Sequence, residues 1–255
     1  MRIVRYSHDG QMSFGVLEGE TIAAITPHPF APFEYSGERL APDDVRLLAP
    51  VLPTKVVAVG KNYADHAKEM GDEVPDEPII FLKPSTSVVG PGDPIIYPAG
   101  VDRVDYEGEL AVIVGKMARR LDEDTALQVV LGFTCANDVT ARNLQASDGQ
   151  WTRAKGFDTF CPLGPWIETD LDSSDLAVRT LVNDEQRQSS RTSMLVNSVA
   201  RLLVFISGVM TLLPGDVVLT GTPAGIGPLN PGDQVAVEVE GIGVLTNRVV
   251  AEPAD

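Results

Sequence analysis

The chain has 255 residues, enough for one large domain or a large one with a small companion, and its hydrophobic fraction of 44% suits a real globular core. Lys and Arg number 20 against 36 Asp and Glu, leaving a formal charge of −16, a field that repels phosphate backbones and anionic lipid. Nucleic acid and membrane surfaces are therefore not expected partners, and an anionic ligand needs a local positive site. The two cysteines, Cys135 and Cys161, form no CxxC pattern and read as reduced, buried thiols of a cytoplasmic protein. The opening MRIVRYSHDG lacks the apolar core of a signal peptide. The most apolar stretch, 194–213, is interrupted by Asn197, Ser198, Arg201 and Ser207, which argues against a membrane span.

In chain order, residues 1–52 read as a small β-rich domain. IVRYS and FGVLEGETIAAI alternate like strands and are punctuated by AspGly and GluGly turn signals. The proline-rich TPHPFAPF is expected to be irregular, with His8 and His28 as loop residues, and APDDVRLLAPVLPTK to be a linker. The main domain, 53–255, opens with the buried strand KVVAVG. In GKNYADHAKEM, His66 and Glu69 stand three apart; if Asn62 caps a helical turn, imidazole and carboxylate share one face. A carboxylate there orients the ring and favours the imidazolium formed when histidine takes a proton. An ordinary surface pair has the same spacing, which leaves both readings open.

ProGlyAsp recurs at 91–93, 214–216 and 231–233, each time before a β-branched strand, the signature of a turn with glycine at positive φ. These strands point to twisted sheets rather than βαβ repeats. Lys83 could face a site, but a strand-end surface lysine is the favoured reading. VDYEGELAVIVG reads as a strand whose two-residue period sends Glu107 and Glu109 to one face, at the mouth of the apolar run Leu110 to Val114. Asp138 ends a second strand, GFTCANDV. Three carboxylates without histidine suit a hard octahedral cation such as Mg²⁺ or Mn²⁺. A solvated strand edge and a helix cap fit the same spacing.

LDEDTALQVVLG is expected to form a short helix. The polar stretch ARNLQASDGQWTRAKGFDTFCPLGPWI is expected to be a long functional loop, with Arg142, Gln145 and Lys155 as candidates for an anionic ligand. RTLVNDEQRQSS is a hairpin turning at AsnAsp. Apolar residues at Leu195, Val199, Leu202, Leu203, Ile206 and Met210 mark a core helix. VVLTGTPAGIG is a strand entering a Gly-rich turn, neither a Walker loop nor a dinucleotide fingerprint. With Thr222 it can cradle a carboxylate.

Six co-linear motifs, VGKNYADHAKEM, FLKPSTSVVGPGD, DYEGELAVIVGK, ANDVTARNLQ, WTRAKGFDTFCPLGPW and LTGTPAGIG, closely resemble the fumarylacetoacetate hydrolase family. The resemblance covers about four-fifths of the chain, from Lys55 onward, and the first fifty residues look like the accessory domain of bacterial members. It implies a mixed α/β, β-rich fold, a β-sandwich roll with a small N-terminal β-rich domain, and a homodimer. It implies a Mg²⁺ or Mn²⁺ site at Glu107, Glu109 and Asp138, catalytic His66, Glu69 and Lys155, and substrate contacts at Arg142, Gln145 and Thr222. Asn143 stands where aspartate is frequent. The implied substrates are small 2-oxo acids and dioates reacting through a metal-bound enolate. Isomerisation of 2-hydroxyhepta-2,4-diene-1,7-dioate in aromatic catabolism, decarboxylation of oxaloacetate and hydrolysis of acylpyruvates remain open, since all use that intermediate. A catalytically silent β-rich binding protein is the rival outside enzymes. The segments 71–78 and 146–152 are expected to govern substrate choice, the first as a lid.

Overall fold

Residues 1–253 are described by a computed structural model of the chain. Among them the strands form three sheets. The largest, of twelve strands, runs along its main path from Glu34–Leu40 through Thr21–Thr26, Gln11–Glu18 and Arg2–His8, then Cys161–Glu168, Val130–Asn137, Gly108–Val114, Val217–Leu219, Val56–Gly60 and Ile79–Lys83. The N-terminal strands thus continue the sheet that carries the acidic residues, joined where Ile3 lies opposite Ile167. A five-stranded sheet (Glu185–Arg191, Ala177–Val182, Gln234–Val239, Gly243–Ala251, Pro94–Tyr97) packs against it, and a three-stranded one joins Thr140–Ala141, Val104–Tyr106 and Gly227–Leu229.

The Gly108–Val114 strand shows why the acidic residues sit where they do. Every residue in it is buried, as an apolar run in a doubly covered sheet should be. Leu110, Val112 and Val114 enter one core cluster with the helix Val199–Val209 and the five-stranded sheet, while Ala111 and Ile113 enter a second. The period of two puts Glu109, and beyond the strand's end Glu107, in line with the second set. The helix matches its expected apolar spacing, and Ser198 caps it by accepting the Arg201 N–H at 3.3 Å.

Turn chemistry is where expected. Asn183 and Asp184 both take positive φ in the Val182 to Glu185 hairpin, and Gly92, Gly215 and Gly232 do so in the three ProGlyAsp turns. No helix among the described residues is long and apolar enough to cross a membrane.

Four local expectations are corrected. The segment 121–132 holds only the 3₁₀ turn Ala126–Val129, because Asp122 ties itself to the Thr125 N–H and hydroxyl and Val130 already belongs to the sheet. The stretch 141–167 is not one loop: it contains the helices Arg142–Asp148 and Thr152–Lys155 and most of the strand Cys161–Glu168. The linker after Leu40 contributes a short strand, Arg46–Leu47, paired with Arg2–His8. Asn62 does not cap the His66 helix, whose N-cap is Tyr63 without a side-chain bond. Instead its amide is saturated by Asn197 and the Thr220 carbonyl, four bonds between 2.8 and 3.1 Å that clamp the helix entry to two distant segments.

Candidate functional site

Antiparallel register builds the acidic cluster. Gly108 lies opposite Asn137, so the next pair along is Glu107 and Asp138, and the Asp138 N–H donates to the Glu107 carbonyl at 2.8 Å. Asn137 Oδ1 accepts the Glu107 N–H at 2.9 Å. One carboxylate oxygen each from Glu107, Glu109 and Asp138 lies within 4.8 Å of the others, and all three residues are buried. Glycine is required between the glutamates: a Cβ on Gly108 would stand 2.0 Å from Thr180 Oγ1.

Cations surround two of the three acids. Lys155 Nζ bridges Glu107 Oε2 at 2.7 Å and Asp138 Oδ2 at 2.6 Å, its ammonium lying 5.0 Å from the Phe81 ring centroid. Arg142 pairs with Glu107 and Asp105 and donates to Gln145 Oε1 at 2.8 Å. Lys83, expected at the surface, is instead buried and pairs with Asp138 while donating to the Val139 carbonyl at 3.1 Å. A buried lysine needs such a partner. Burial works to raise the Glu107 carboxyl, but Arg142 and then Lys155 hold it well below the ordinary range.

Glu109 differs. Among the described residues no cation pairs with it, and its recorded hydrogen bond comes from the Gly221 N–H at 2.6 Å. Burial first, then the charges of Asp138 and Glu107, push its carboxyl well above the usual value. Gly221 takes φ +102°, and a Cβ there would meet Asn62 Cβ at 2.8 Å, so the N–H reaches Glu109 only with glycine in place.

The cluster floors a cavity of about 360 Å³, in the size range of small-molecule sites. His66, Arg142, Gln145, Lys155 and Thr222 line it with the three acids, so the structure gathers these expected residues, and Glu69 stands behind His66. His66 Nδ1 lies 3.2 Å from Glu69 Oε2, and Glu69 Oε1 accepts the Gly225 N–H at 3.0 Å, which fixes the carboxylate behind the ring. The Thr222 hydroxyl donates to the Gly108 carbonyl at 2.9 Å and accepts from Gln188 at 2.8 Å.

The model of the fumarylacetoacetate (FAA) hydrolase C-terminal family matches residues 55–250, and one described as Rv2993c-like, N-terminal, matches residues 1–50. The chain belongs to the fumarylacetoacetate hydrolase family. A 5-carboxymethyl-2-hydroxymuconate delta-isomerase from Mycobacterium smegmatis is 50% identical, with TM-score 0.94 over 99% of this chain and 100% of that one. A 2-hydroxyhepta-2,4-diene-1,7-dioate isomerase from Mycobacterium marinum is 48% identical, with TM-score 0.93 over 100% of both. The oxaloacetate tautomerase Fahd2a, mitochondrial, of Rattus norvegicus is 45% identical over 81% of this chain and 70% of its own. The β-rich architecture is that of this family, and the chain is an enzyme.

The donor set fits the divalent metal typical of fumarylacetoacetate hydrolase enzymes. All three donors are hard oxygens, and Glu109 faces two carboxylates with no cation of its own, a charge arrangement that a cation between them relieves. Three residues tied to this cluster lay outside the expected set: Lys83, Asp105 and Arg103. Asp105 shares the parity of Glu107 and Glu109 on the strand and was legible from that. Lys83 could not be assigned from its own surroundings, since only the fold brings Asp138 to it, 55 residues away; Arg103 stands two residues from its partner Asp105, so that pair was open to a local reading.

Proposed function

We propose that the chain is a Mg²⁺- or Mn²⁺-dependent isomerase of small 2-oxo diacids, catalysing proton shifts next to the keto group, keto–enol tautomerisation among them. The observation that carries this reading is that one cavity is lined by His66, backed by Glu69, and by Lys155, which pairs with Glu107 and Asp138: a proton-handling group and a charge-holding group facing the same space. Names of relatives support the same class: two isomerases matched over nearly their whole length, one of an unsaturated tricarboxylate and one of a dioate, and an oxaloacetate tautomerase matched over 70% of its length.

Glu107, Glu109 and Asp138 would hold the metal, which when bound would supply Lewis acidity toward the substrate's oxygens. His66 takes the proton from the carbon beside the keto group, and Glu69 orients the ring and stabilises the imidazolium. Lys155 offers its ammonium to the oxygen on which negative charge grows. Arg142, Gln145 and Thr222 frame the substrate carboxylate, and Phe81 with Trp151 limits water at that wall. Returning the proton from His66 to the other end of the delocalised system completes the isomerisation. The proposal also makes the protein a homodimer, and a cytoplasmic one, a compartment that its two free, buried thiols suit.

The test follows the enol–keto interconversion of oxaloacetate with Mg²⁺ or Mn²⁺, an EDTA control, and an acylpyruvate in parallel. EDTA-sensitive interconversion above the metal-only rate supports the proposal. Release of CO₂ from oxaloacetate, or acylpyruvate cleavage, without interconversion would transfer the assignment to decarboxylation or hydrolysis. Full turnover by Glu107→Gln would sink the mechanism.

A further inference from the structure

Most cations around the cavity are committed to buried carboxylates. Arg103 grips Asp105 with two bonds, at 2.7 and 2.9 Å, Arg142 is divided between Asp105 and Glu107, and Lys155 bridges Glu107 and Asp138. Lys61 is different. Its one ion-pair partner among the described residues is Asp72, at 2.9 Å, with side chains 23% and 42% exposed. Both line the cavity, and neither pairs with the acidic cluster.

The two ends of this pair are held unequally. Lys61 follows directly on the Val56–Gly60 strand and takes φ +57°, a left-handed conformation that persists for a residue with a side chain only where the surroundings enforce it. The residue before it is packed tightly too: the Trp151 ring lies so close over Gly60 that a Cβ there would stand 2.7 Å from the indole. Asp72, by contrast, belongs to the segment 71–78, which contains neither helix nor strand, and is anchored through its backbone N–H to the Ala67 carbonyl at 2.9 Å. The cation is set by the wall of the site, whereas its counter-ion is carried by a loop.

We propose that Lys61 binds the distal carboxylate of the 2-oxo diacid and that Asp72 is the resting counter-ion it exchanges for substrate. This deepens the function proposed above and rests on it for the reacting head of the ligand. The charge logic selects diacids. A second carboxylate replaces Asp72 on the ammonium at little electrostatic loss, and Asp72, already half in water, is released to solvent. A neutral distal group leaves the pair intact and gains nothing from Lys61.

The experiment compares oxaloacetate with its 4-methyl ester, identical at the reacting head, on wild type, Lys61→Met, Lys61→Arg and Asp72→Asn, all with Mg²⁺. Affinity is read from tryptophan fluorescence, since Trp151 lines the cavity, and KM is read separately. Loss of a charge-assisted contact should weaken oxaloacetate about tenfold or more in Lys61→Met, with the ester held nearly as before and Lys61→Arg restoring the preference. Asp72→Asn should tighten oxaloacetate, because the competitor is gone. Parallel weakening of both ligands by Lys61→Met and Asp72→Asn would overturn the proposal, as that is what a mere pin for 71–78 predicts. Preference dependent on Lys61 without any turnover supports it while overturning the isomerase reading; turnover without the preference does the reverse. Failure of wild type to bind either compound overturns both.

Discussion

Lys83 and Asp138 form an ion pair whose side chains are 0% and 1% exposed, although 55 residues separate them in the chain. Such a pair holds the end of the Ile79–Lys83 strand, at the edge of the large sheet, against the acidic floor of the cavity. Removing one member leaves a buried charge short of compensation, and Lys155 alone then neutralises Asp138. Lys83→Met is expected to cost about 3 kcal/mol, measured by urea unfolding. A loss below about 0.5 kcal/mol, the usual size for an exposed pair, would show that the lysine is not buried as described.

Gly108 and Thr180 give a second test. A methyl group on Gly108 collides with the Thr180 hydroxyl, which is itself buried without a hydrogen-bond partner. Gly108→Ala should therefore destabilise by about 3 kcal/mol and weaken divalent-cation binding, because it forces apart the strand between the glutamates. Thr180→Ala alone should be near neutral, and in its background Gly108→Ala should cost less. Additive costs in this double-mutant cycle would contradict the contact.

Divalent cations should stabilise the fold through Glu107, Glu109 and Asp138. Mn²⁺ at about 100 times its Kd is expected to add about 2.7 kcal/mol to unfolding, and EDTA to remove it. Glu107→Gln and Glu109→Gln should each abolish most of that gain along with activity. Calorimetric scans of the three proteins with and without Mn²⁺ decide the matter; undiminished stabilisation of either variant would place the metal elsewhere.

How much of this was legible in sequence depended on the range of the interaction. Strand parity put Glu107 and Glu109 on one side of a buried strand, but a solvated edge fitted the same spacing, and it was the family resemblance that implied a metal site with Asp138. The Val199–Val209 helix could be read because its spacing is local. Asn62 could not. Its partner Asn197 lies 135 residues away, so its sequence context resembles a helix cap and only the tertiary fold reassigns it. The turn at 126–129 escaped for the opposite reason: a short-range bond from Asp122 to Thr125 overrode a favourable helical composition.

Cys135 sets a pH dependence. Burial pushes its thiol up to about 12, and the Sγ–H donates to the Gly243 carbonyl at 3.5 Å. The unfolded thiol ionises near about 8.5, so the folded state binds the proton more tightly above that value. Its contribution to stability is complete below the unfolded pKa and declines as pH rises from there toward the folded one. Cys135→Ala should flatten that part of the stability profile between pH 8 and about 10. In native protein at pH 8 a disulfide reagent should leave the thiol unmodified, and denaturant should expose it. Rapid native modification of Cys135 would refute its burial.

Deleting residues 1–52, the proposed accessory domain, tests the joined sheet. It would strip the Arg2–His8 strand from Cys161–Glu168 and uncover an edge of the large sheet next to partly buried Trp166. The remaining chain is expected to aggregate on purification, as followed by light scattering, whereas a soluble, stable 53–255 fragment would show that the pairing is dispensable.

The parallel pairing of Val217–Leu219 with Val56–Gly60 has a consequence for biosynthesis. Val217–Leu219 also flanks Gly108–Val114, and the turn just after it brings Gly221 to Glu109. During translation the strand carrying the acids therefore waits for a neighbour made more than a hundred residues later. Until that segment leaves the ribosome, the nascent chain carries three acids and two lysines in a half-built sheet, which favours late, all-at-once assembly over stepwise folding from the N-terminus. Order of synthesis thus leaves the acidic cluster without its Gly221 contact until residues 217–221 have been made.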